Sequence, residues 1–79
     1  MDIKRITDPD SVNIGTKIKY VGAQEYFWYA DIIQNAKDNL KVGNVYTIKI
    51  IDLYSSWCSI TLEETGDKEY SLSFFVENV

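Results

Sequence analysis

Four consecutive aromatic residues, Tyr26-Phe27-Trp28-Tyr29, are the side chains of this sequence best suited to recognising another molecule. Large rings bury much surface at a low cost in side-chain entropy, and they are enriched at the hot spots of interfaces. A regular helix or strand does not bury four consecutive side chains, so one or two of them should be partly exposed. Trp57 is out of phase with the apolar residues that follow it and is predicted to join the same surface. The alternative is that these rings close one end of a small core.

Acidic residues towards the end of the sequence form a second candidate site. Residues 52–79 contain six acidic residues and one lysine, a net charge of −5, whereas residues 1–22 contain four basic and three acidic residues. Carboxylates spaced along a hairpin can take the positions that phosphates would occupy on a basic protein surface, and such binding weakens steeply with salt. The alternative is a solvated face that keeps the protein soluble. The candidate carboxylates are Glu63, Glu64, Asp67 and Glu69.

Catalytic residues in a recognisable arrangement are not found in the sequence. It contains no histidine, the commonest general base and the commonest metal ligand. Cys58 shares a predicted strand face with Ile60 and Leu62, which indicates a buried and inert thiol. Adjacent Glu63 and Glu64 point to opposite faces of a strand, so they cannot flank one substrate bond. The acidic turn lacks the spacing of a calcium loop, and the four glycines are too far apart to cradle a phosphate. The prediction is a protein that is not an enzyme and holds no metal or cofactor.

Charge and hydropathy also limit the classes of partner. Eight Lys and Arg stand against twelve acidic residues, so the basic groove that a nucleic-acid binder needs is not expected. No segment approaches the ~18–20 apolar residues that span a bilayer, and the N-terminus lacks the apolar run of a signal peptide. The sequence therefore predicts a cytoplasmic protein that does not bind a membrane, and it favours a protein partner over nucleic acid.

Length and composition favour one globular domain over residues 1–79. Apolar residues make up 46% of the chain and charged residues 25%, a proportion typical of a folded domain and not of a disordered one. Cys58 is the only cysteine, so packing, and not an internal disulfide, must hold the fold together.

Alternation of apolar and polar residues predicts four main strands, at residues 16–21, 45–53, 57–63 and 69–75. Residues 1–6 are predicted to form either a short edge strand or a loose arm. Gly15 and Gly43 precede two of the strands in similar contexts, which indicates that both turns use the positive φ that glycine allows. The inward-facing residues predicted from the alternation are Ile18, Tyr20, Tyr46, Ile48, Ile50, Cys58, Ile60, Leu62, Tyr70, Leu72 and Phe74.

Residues 24–39 interrupt this pattern. Tyr29, Ile32, Ile33, Ala36 and Leu40 follow the spacing of one helical face, which predicts a helix of two or three turns between the first two of these strands. The alternative is a long, curled hairpin arm.

Residues 40–75 resemble small SH3-like barrel proteins of phages, prophages and mobile elements. The resemblance is carried by Leu40-Lys41-Val42-Gly43-Asn44-Val45-Tyr46-Thr47-Ile48, by a strand from Trp57 to Leu62-Glu63, and by Tyr70-Ser71-Leu72-Ser73-Phe74-Phe75. It implies an all-β, strongly bent antiparallel barrel of about five strands, with a helical or loop insertion near residues 24–39. The matching positions are structural, so the resemblance implies no role for any individual residue.

Together these observations predict a small, non-enzymatic protein-interaction module of phage or mobile-element type, whose partner is another protein. The first alternative is an acidic inhibitor, with a counter-defence or regulatory role, that binds a nucleic-acid-binding protein of the host. The second is a single-stranded nucleic-acid binder. A second copy of the chain, held through exposed aromatic residues, is a further candidate partner.

Overall fold

The structure, a computed structural model, describes residues 4–23 and 29–78. Five antiparallel strands form one sheet in the order β4-β3-β2-β1-β5. One α-helix lies between the first two strands, which confirms the prediction of an all-β fold with a helical insertion. The elements are β1 Lys17–Tyr20, α1 Ala30–Asn39, β2 Val45–Leu53, β3 Cys58–Leu62, β4 Glu69–Ser71 and β5 Phe75–Glu77, with short 3₁₀ turns at Pro9–Ser11 and Leu72–Phe74.

The long strand β2 links the two halves of the sheet. Its first residues pair with β1, in a register that places Val45 opposite Lys19, and the remainder pairs with β3. The register shifts between Ile48 and Ile50, so that one extra residue enters β2 as a bulge.

Beyond this bulge the side chains of β2 exchange faces. The prediction that Ile50 faces inward is therefore wrong: its side chain is 42% exposed. The adjacent Ile51 packs against the core in its place. The cause is that an inserted residue reverses which members of an alternating strand face the core.

The predicted strand 69–75 is also wrong as a single element. The chain leaves β4 at Ser71, passes through the 3₁₀ turn Leu72–Phe74, and enters β5 at the opposite edge of the sheet. The Ser71 hydroxyl accepts a hydrogen bond from the Ser73 N–H at 3.3 Å and so caps the turn. Leu72 and Phe74 are nevertheless buried, as predicted.

Two glycine turns hold β1 and β2 in register. Gly15, at φ 91°, donates its N–H to the Ile48 carbonyl at 2.8 Å, and Gly43, at φ 92°, donates to the Tyr20 carbonyl at 2.8 Å. Each turn thus bonds to the facing strand with a backbone conformation that favours glycine. This confirms the shared turn chemistry predicted for the two positions.

Helix α1 buries one apolar stripe against the sheet. Ala36 is buried, Ile32 and Ile33 pack against the same core, and Leu40, directly after the helix, is also buried. The helix replaces the alternative of a hairpin arm for residues 30–39, while residues 24–28 lie outside the described part of the chain. Within the described ranges, no helix has both the length and the apolar character needed to cross a membrane.

The N-terminal segment is tied to the far edge of the sheet without forming a strand at residues 4–6. The Ile6 N–H donates to the Phe75 carbonyl at 2.9 Å, and the Ile6 side chain is buried. The Arg5 guanidinium donates to the carbonyls of Gly22 at 2.7 Å and Ser73 at 3.1 Å. Closure of the sheet into a barrel remains a prediction.

Candidate interaction site

The turn between β2 and β3 brings two aromatic rings together. The Tyr54 N–H donates to the Trp57 carbonyl at 3.0 Å, which closes the hairpin around Ser55 and Ser56. The ring centroids of Tyr54 and Trp57 are then 5.1 Å apart with a tilt of 37°. This separation is in the favourable range for paired rings.

Tyr29, at the start of α1, adds a third ring from a distant part of the sequence. Its centroid lies 5.6 Å from that of Trp57. Tyr29 and Tyr54 are each 47% exposed, whereas Trp57 is partly buried. We call Tyr29, Tyr54 and Trp57 the aromatic cluster.

The aromatic cluster contains two of the five rings that the sequence predicted to form a binding surface. Tyr29 and Trp57 are in contact, whereas Tyr26, Phe27 and Trp28 lie outside the described residues. Tyr54 was missed because it follows a strand and precedes two serines, a context that reads as a strand terminator. The available signal was its position three residues before Trp57, since a tight hairpin places such residues opposite one another.

A groove of ≈ 470 Å³ runs along the aromatic cluster. Two carboxylates, Asp31 and Glu69, lie in its wall, and none of the described residues that line it is basic. We call it the aromatic groove. Its lining residues are Tyr29, Asp31, Ile32, Tyr54, Ser55, Ser56, Trp57 and Glu69.

Glu69 makes the aromatic groove electrostatically negative. The Glu69 carboxylate lies near the Tyr54 phenol and is the main reason that the pKa of Tyr54 is raised above its ordinary value. Loss of solvent and the carboxylate of Asp52 act in the same direction. A second negative charge would be unfavourable beside these carboxylates, so Tyr54 remains a neutral hydroxyl at physiological pH.

Glu64, predicted as part of an acidic binding patch, is bonded within the fold. Its carboxylate accepts hydrogen bonds from the Thr47 N–H at 2.9 Å and the Thr47 hydroxyl at 3.0 Å. Burial raises the pKa of Glu64, but the hydrogen bonds from Thr47 and the charge of Lys17 outweigh it and lower the pKa overall. The Glu63 N–H donates to the Thr47 carbonyl at 3.0 Å, so both backbone groups of Thr47 are bonded next to the bulge.

The other predicted carboxylates occupy different surroundings. Asp67 forms an exposed ion pair with Lys49 at 3.6 Å, an interaction of little energetic weight. Glu63 is exposed, and Glu69 lies in the aromatic groove. The structure thus distributes the four predicted residues among an internal hydrogen bond, an ion pair, a solvated position and the aromatic groove.

Cys58 is only partly buried, at the edge of the core, whereas the sequence predicted a buried thiol. Burial is the main reason that its pKa is raised, and Asp52 adds to the effect. A raised pKa lowers the thiolate fraction, which is the opposite of what an activated nucleophile needs. Among the residues that the structure describes, no group of three or more acidic or sulfur side chains is placed to hold a metal ion.

A second groove, of ≈ 640 Å³, lies between the N-terminal segment and strands β1 and β5. Its charges are mixed, with Lys4, Arg5 and Lys19 beside Asp8 and Glu77. Arg5 already donates to two carbonyls of the fold. Mixed charges of this kind do not form the continuous basic track that a nucleic-acid backbone requires.

No family model, curated protein or solved structure shows a significant match to the chain.

Proposed function

We propose that the protein is a non-enzymatic interaction module that binds another protein through the aromatic groove. The observation that carries this proposal is the aromatic cluster itself. Three rings from two separate segments contact one another at the surface, and two of them remain 47% exposed. Tyrosine and tryptophan in such an arrangement have the composition of an interface hot spot.

The groups that line the aromatic groove favour binding over catalysis. They supply ring faces, serine hydroxyls and carboxylates. Catalysis by a serine nucleophile requires an adjacent base, commonly an imidazole, and the sequence contains no histidine. The raised pKa of Cys58 also argues against a thiolate nucleophile near this end of the sheet.

We include the finer expectations about origin and architecture in the same proposal. Five antiparallel strands with one helical insertion agree with the resemblance to small SH3-like barrels of phages, prophages and mobile elements. The proposal accordingly places the protein in the cytoplasm. The proposal also includes closure of the sheet into a barrel, with β4 and β5 at the two edges that would meet.

The alternative of an acidic inhibitor of a nucleic-acid-binding protein has narrower support. Glu64 is bonded to Thr47 and Asp67 pairs with Lys49, so two of the four carboxylates are already engaged. Glu63 and Glu69 remain for a partner. The single-stranded nucleic-acid alternative loses support because Asp31 and Glu69 would repel phosphates beside the rings on which bases would stack.

The test is affinity capture of host proteins with the native chain and the variants Tyr54→Ala and Trp57→Ala. Leu53→Ala is the matched control because Leu53 adjoins Tyr54 in sequence, is 69% exposed and does not line the aromatic groove. We expect quantitative mass spectrometry to show that the same partners are lost from both aromatic variants and retained by Leu53→Ala. Tyr54→Ala should leave the melting temperature nearly unchanged, since the ring is half exposed.

Two results would contradict the proposal. One is capture of identical partners, in equal amounts, by all four proteins. The other is a fall of many degrees in the melting temperature of Tyr54→Ala, which would show that this ring stabilises the fold.

A further inference from the structure

We propose that the aromatic groove binds an arginine side chain from a basic segment of the partner protein. This inference rests on the proposed function, and it names the chemistry of the partner. It combines two observations, the tilted rings of the aromatic cluster and the carboxylate of Glu69 in the same groove.

The rings supply the first half of such a site. A cation that lies over the face of tyrosine or tryptophan, within about 6 Å of its centroid, is attracted by the ring quadrupole. The Tyr54 and Trp57 centroids are 5.1 Å apart, so one planar group can contact both residues. Tyr54 has the accessible surface that this requires, since it is 47% exposed.

Glu69 supplies the second half, the counter-charge. It is partly buried, so its charge is less screened by water than that of a fully exposed carboxylate. Among the described residues, no lysine or arginine forms an ion pair with Glu69; the ion pair present is the one between Lys49 and Asp67. The effect of Glu69 on the pKa of Tyr54 indicates that the charge acts where the rings lie.

Asp31 and Asp52 extend the negative region. Asp31 lines the aromatic groove but lies in the first turn of α1, where the positive end of the helix dipole partly offsets its charge. Asp52, near the end of β2, acts on Tyr54, which follows that strand directly. Glu69 is therefore the principal carboxylate of the site.

The cost of covering Glu69 decides which class of side chain the groove favours. An apolar side chain would remove water from the carboxylate without giving it a hydrogen bond, which is unfavourable. An acidic side chain would be repelled. A neutral donor would give the carboxylate a hydrogen bond but would leave its charge uncompensated. A cationic group donates to the carboxylate, compensates its charge and is also attracted by the rings.

Arginine satisfies this environment better than lysine. Its planar guanidinium can stack on a ring while its edge donates to a carboxylate, and it loses hydration more easily than an ammonium group. A lysine ammonium is a compact charge that can pair with Glu69 but cannot stack in the same way.

The test uses a Gly/Ser peptide that carries three arginines, with matched peptides in which lysine or the neutral isostere citrulline replaces arginine. Binding is followed by NMR through the Trp57 indole N–H and the Tyr54 ring signals. We expect the arginine peptide to bind best. Relative to it, the lysine peptide should bind several-fold more weakly and the citrulline peptide at least ~10-fold more weakly.

The protein variants separate the site from the general charge of the chain. Glu69→Gln and Glu63→Gln remove the same charge, but only Glu69 lines the aromatic groove. We expect Glu69→Gln and Tyr54→Ala to weaken binding of the arginine peptide by about 3–10-fold, whereas Glu63→Gln should leave it almost unchanged.

Several results would overturn the inference. Equal weakening by Glu63→Gln and Glu69→Gln would show that the peptide senses only net charge. Equal binding of the arginine and citrulline peptides, with Tyr54→Ala still weakening both, would show that the groove takes a neutral ligand; the proposed function would stand. Shifts of the same signals on raising protein concentration alone would assign the groove to a second copy. If neither the peptides nor the captured host proteins respond to Tyr54→Ala, both proposals fail.

Discussion

At the scale of single residues, the Glu64 side chain accepts a backbone hydrogen bond that a carbonyl of a neighbouring strand would otherwise accept. Its carboxylate accepts the Thr47 N–H at 2.9 Å next to the bulge in β2. Without that acceptor, the N–H and the hydroxyl of the largely buried Thr47 would both lose the group to which they donate, and the hydroxyl would keep only the bond that it accepts from Lys17 Nζ at 3.3 Å. We expect Glu64→Ala to lower the free energy of unfolding by about 1–2 kcal/mol, after allowance for the exposure of the carboxylate.

Urea denaturation would measure this loss. The control is Glu63→Ala, because the exposed Glu63 contributes its backbone N–H and not its side chain to the bond with Thr47. That variant should stay within about 0.5 kcal/mol of the native protein. Equal losses in the two variants would contradict the role assigned to the Glu64 carboxylate.

The same carboxylate predicts part of the acid sensitivity of the fold. The pKa of Glu64 in the folded protein lies below its ordinary value of 4.5, so the unfolded chain takes up this proton first as the pH falls. The stability contributed by Glu64 is therefore complete above that ordinary value and is lost as the pH drops through the folded pKa. We expect Glu64→Gln to show a smaller loss of unfolding free energy than the native protein on acidification. Parallel pH profiles for the two proteins would contradict this expectation.

The pKa of Tyr54 can be used to detect the negative charge in the aromatic groove without adding a ligand. Because the Glu69 carboxylate is the main cause of its raised pKa, Glu69→Gln should lower the pKa of Tyr54 towards the ordinary value of 10.0. NMR titration of the Tyr54 ring at alkaline pH would measure the change. Glu63→Gln should have a much smaller effect, and a response of Tyr54 to both variants alike would place Glu69 outside the groove.

At the scale of elements, the bulge in β2 gives the sharpest test of the sheet. A strict alternation from Tyr46 would bury Ile48 and Ile50 equally, but the structure buries Ile48 completely and leaves Ile50 42% exposed. Ile48→Ala should lower the free energy of unfolding by ~2–5 kcal/mol, and Ile50→Ala by about 1 kcal/mol or less. Similar losses in the two variants, measured by urea denaturation, would mean that β2 has no bulge.

The sequence predicts β1 best: Ile18 and Tyr20 are buried and the two lysines of the strand are exposed, as a period of two requires. In β3, Ile60 and Leu62 are buried as predicted, but Ser59 and Thr61, which the alternation placed on the outer face, are buried as well. The bulge could not be predicted in this way, because the offset between Ile48 and Ile50 arises from pairing with β3 and not from β2 itself.

The end of β4 at Ser71 could not be predicted from the alternation either, for a different reason. Leu72 and Phe74 lie two positions apart and are both buried, so a short 3₁₀ turn here retains the alternation of a strand. The local signal was Ser71, whose hydroxyl accepts from the Ser73 N–H, but serine is also common at the surface of strands. Only the choice of a new partner strand, β1, distinguishes the two cases.

The candidate site was predictable in part, because it depends on which segments meet. Aromatic composition was sufficient to select Tyr29 and Trp57. Their contact at 5.6 Å requires α1 to begin beside the β2–β3 hairpin, and no local pattern in the sequence specifies that position. The carboxylate of Glu69 was selected for its charge, but its place in the aromatic groove follows from the packing of β4.

At the scale of the whole molecule, the segment from β4 to β5 joins the two edges of the sheet. β4 pairs only with β3 and β5 only with β1, among the strand pairs of the described chain. The N-terminal segment is bonded to this same region through the Phe75 carbonyl. A single buried residue in the connecting turn therefore influences the core, both sheet edges and the N-terminal attachment.

Leu72 is the residue that tests this arrangement, because it is 1% exposed and is the first residue of the connecting turn. Leu72→Ala should lower the free energy of unfolding by ~2–5 kcal/mol. Since a domain of this size has a stability near the low end of ~5–15 kcal/mol, that is a large share of the total. The melting temperature should fall by roughly 10–30 °C. Leu53→Ala makes the same chemical change at a side chain that is 69% exposed, and it should shift the melting temperature by only a few degrees. Circular dichroism would measure the two melting temperatures. Equal decreases in the two variants would show that the turn between β4 and β5 lies outside the core.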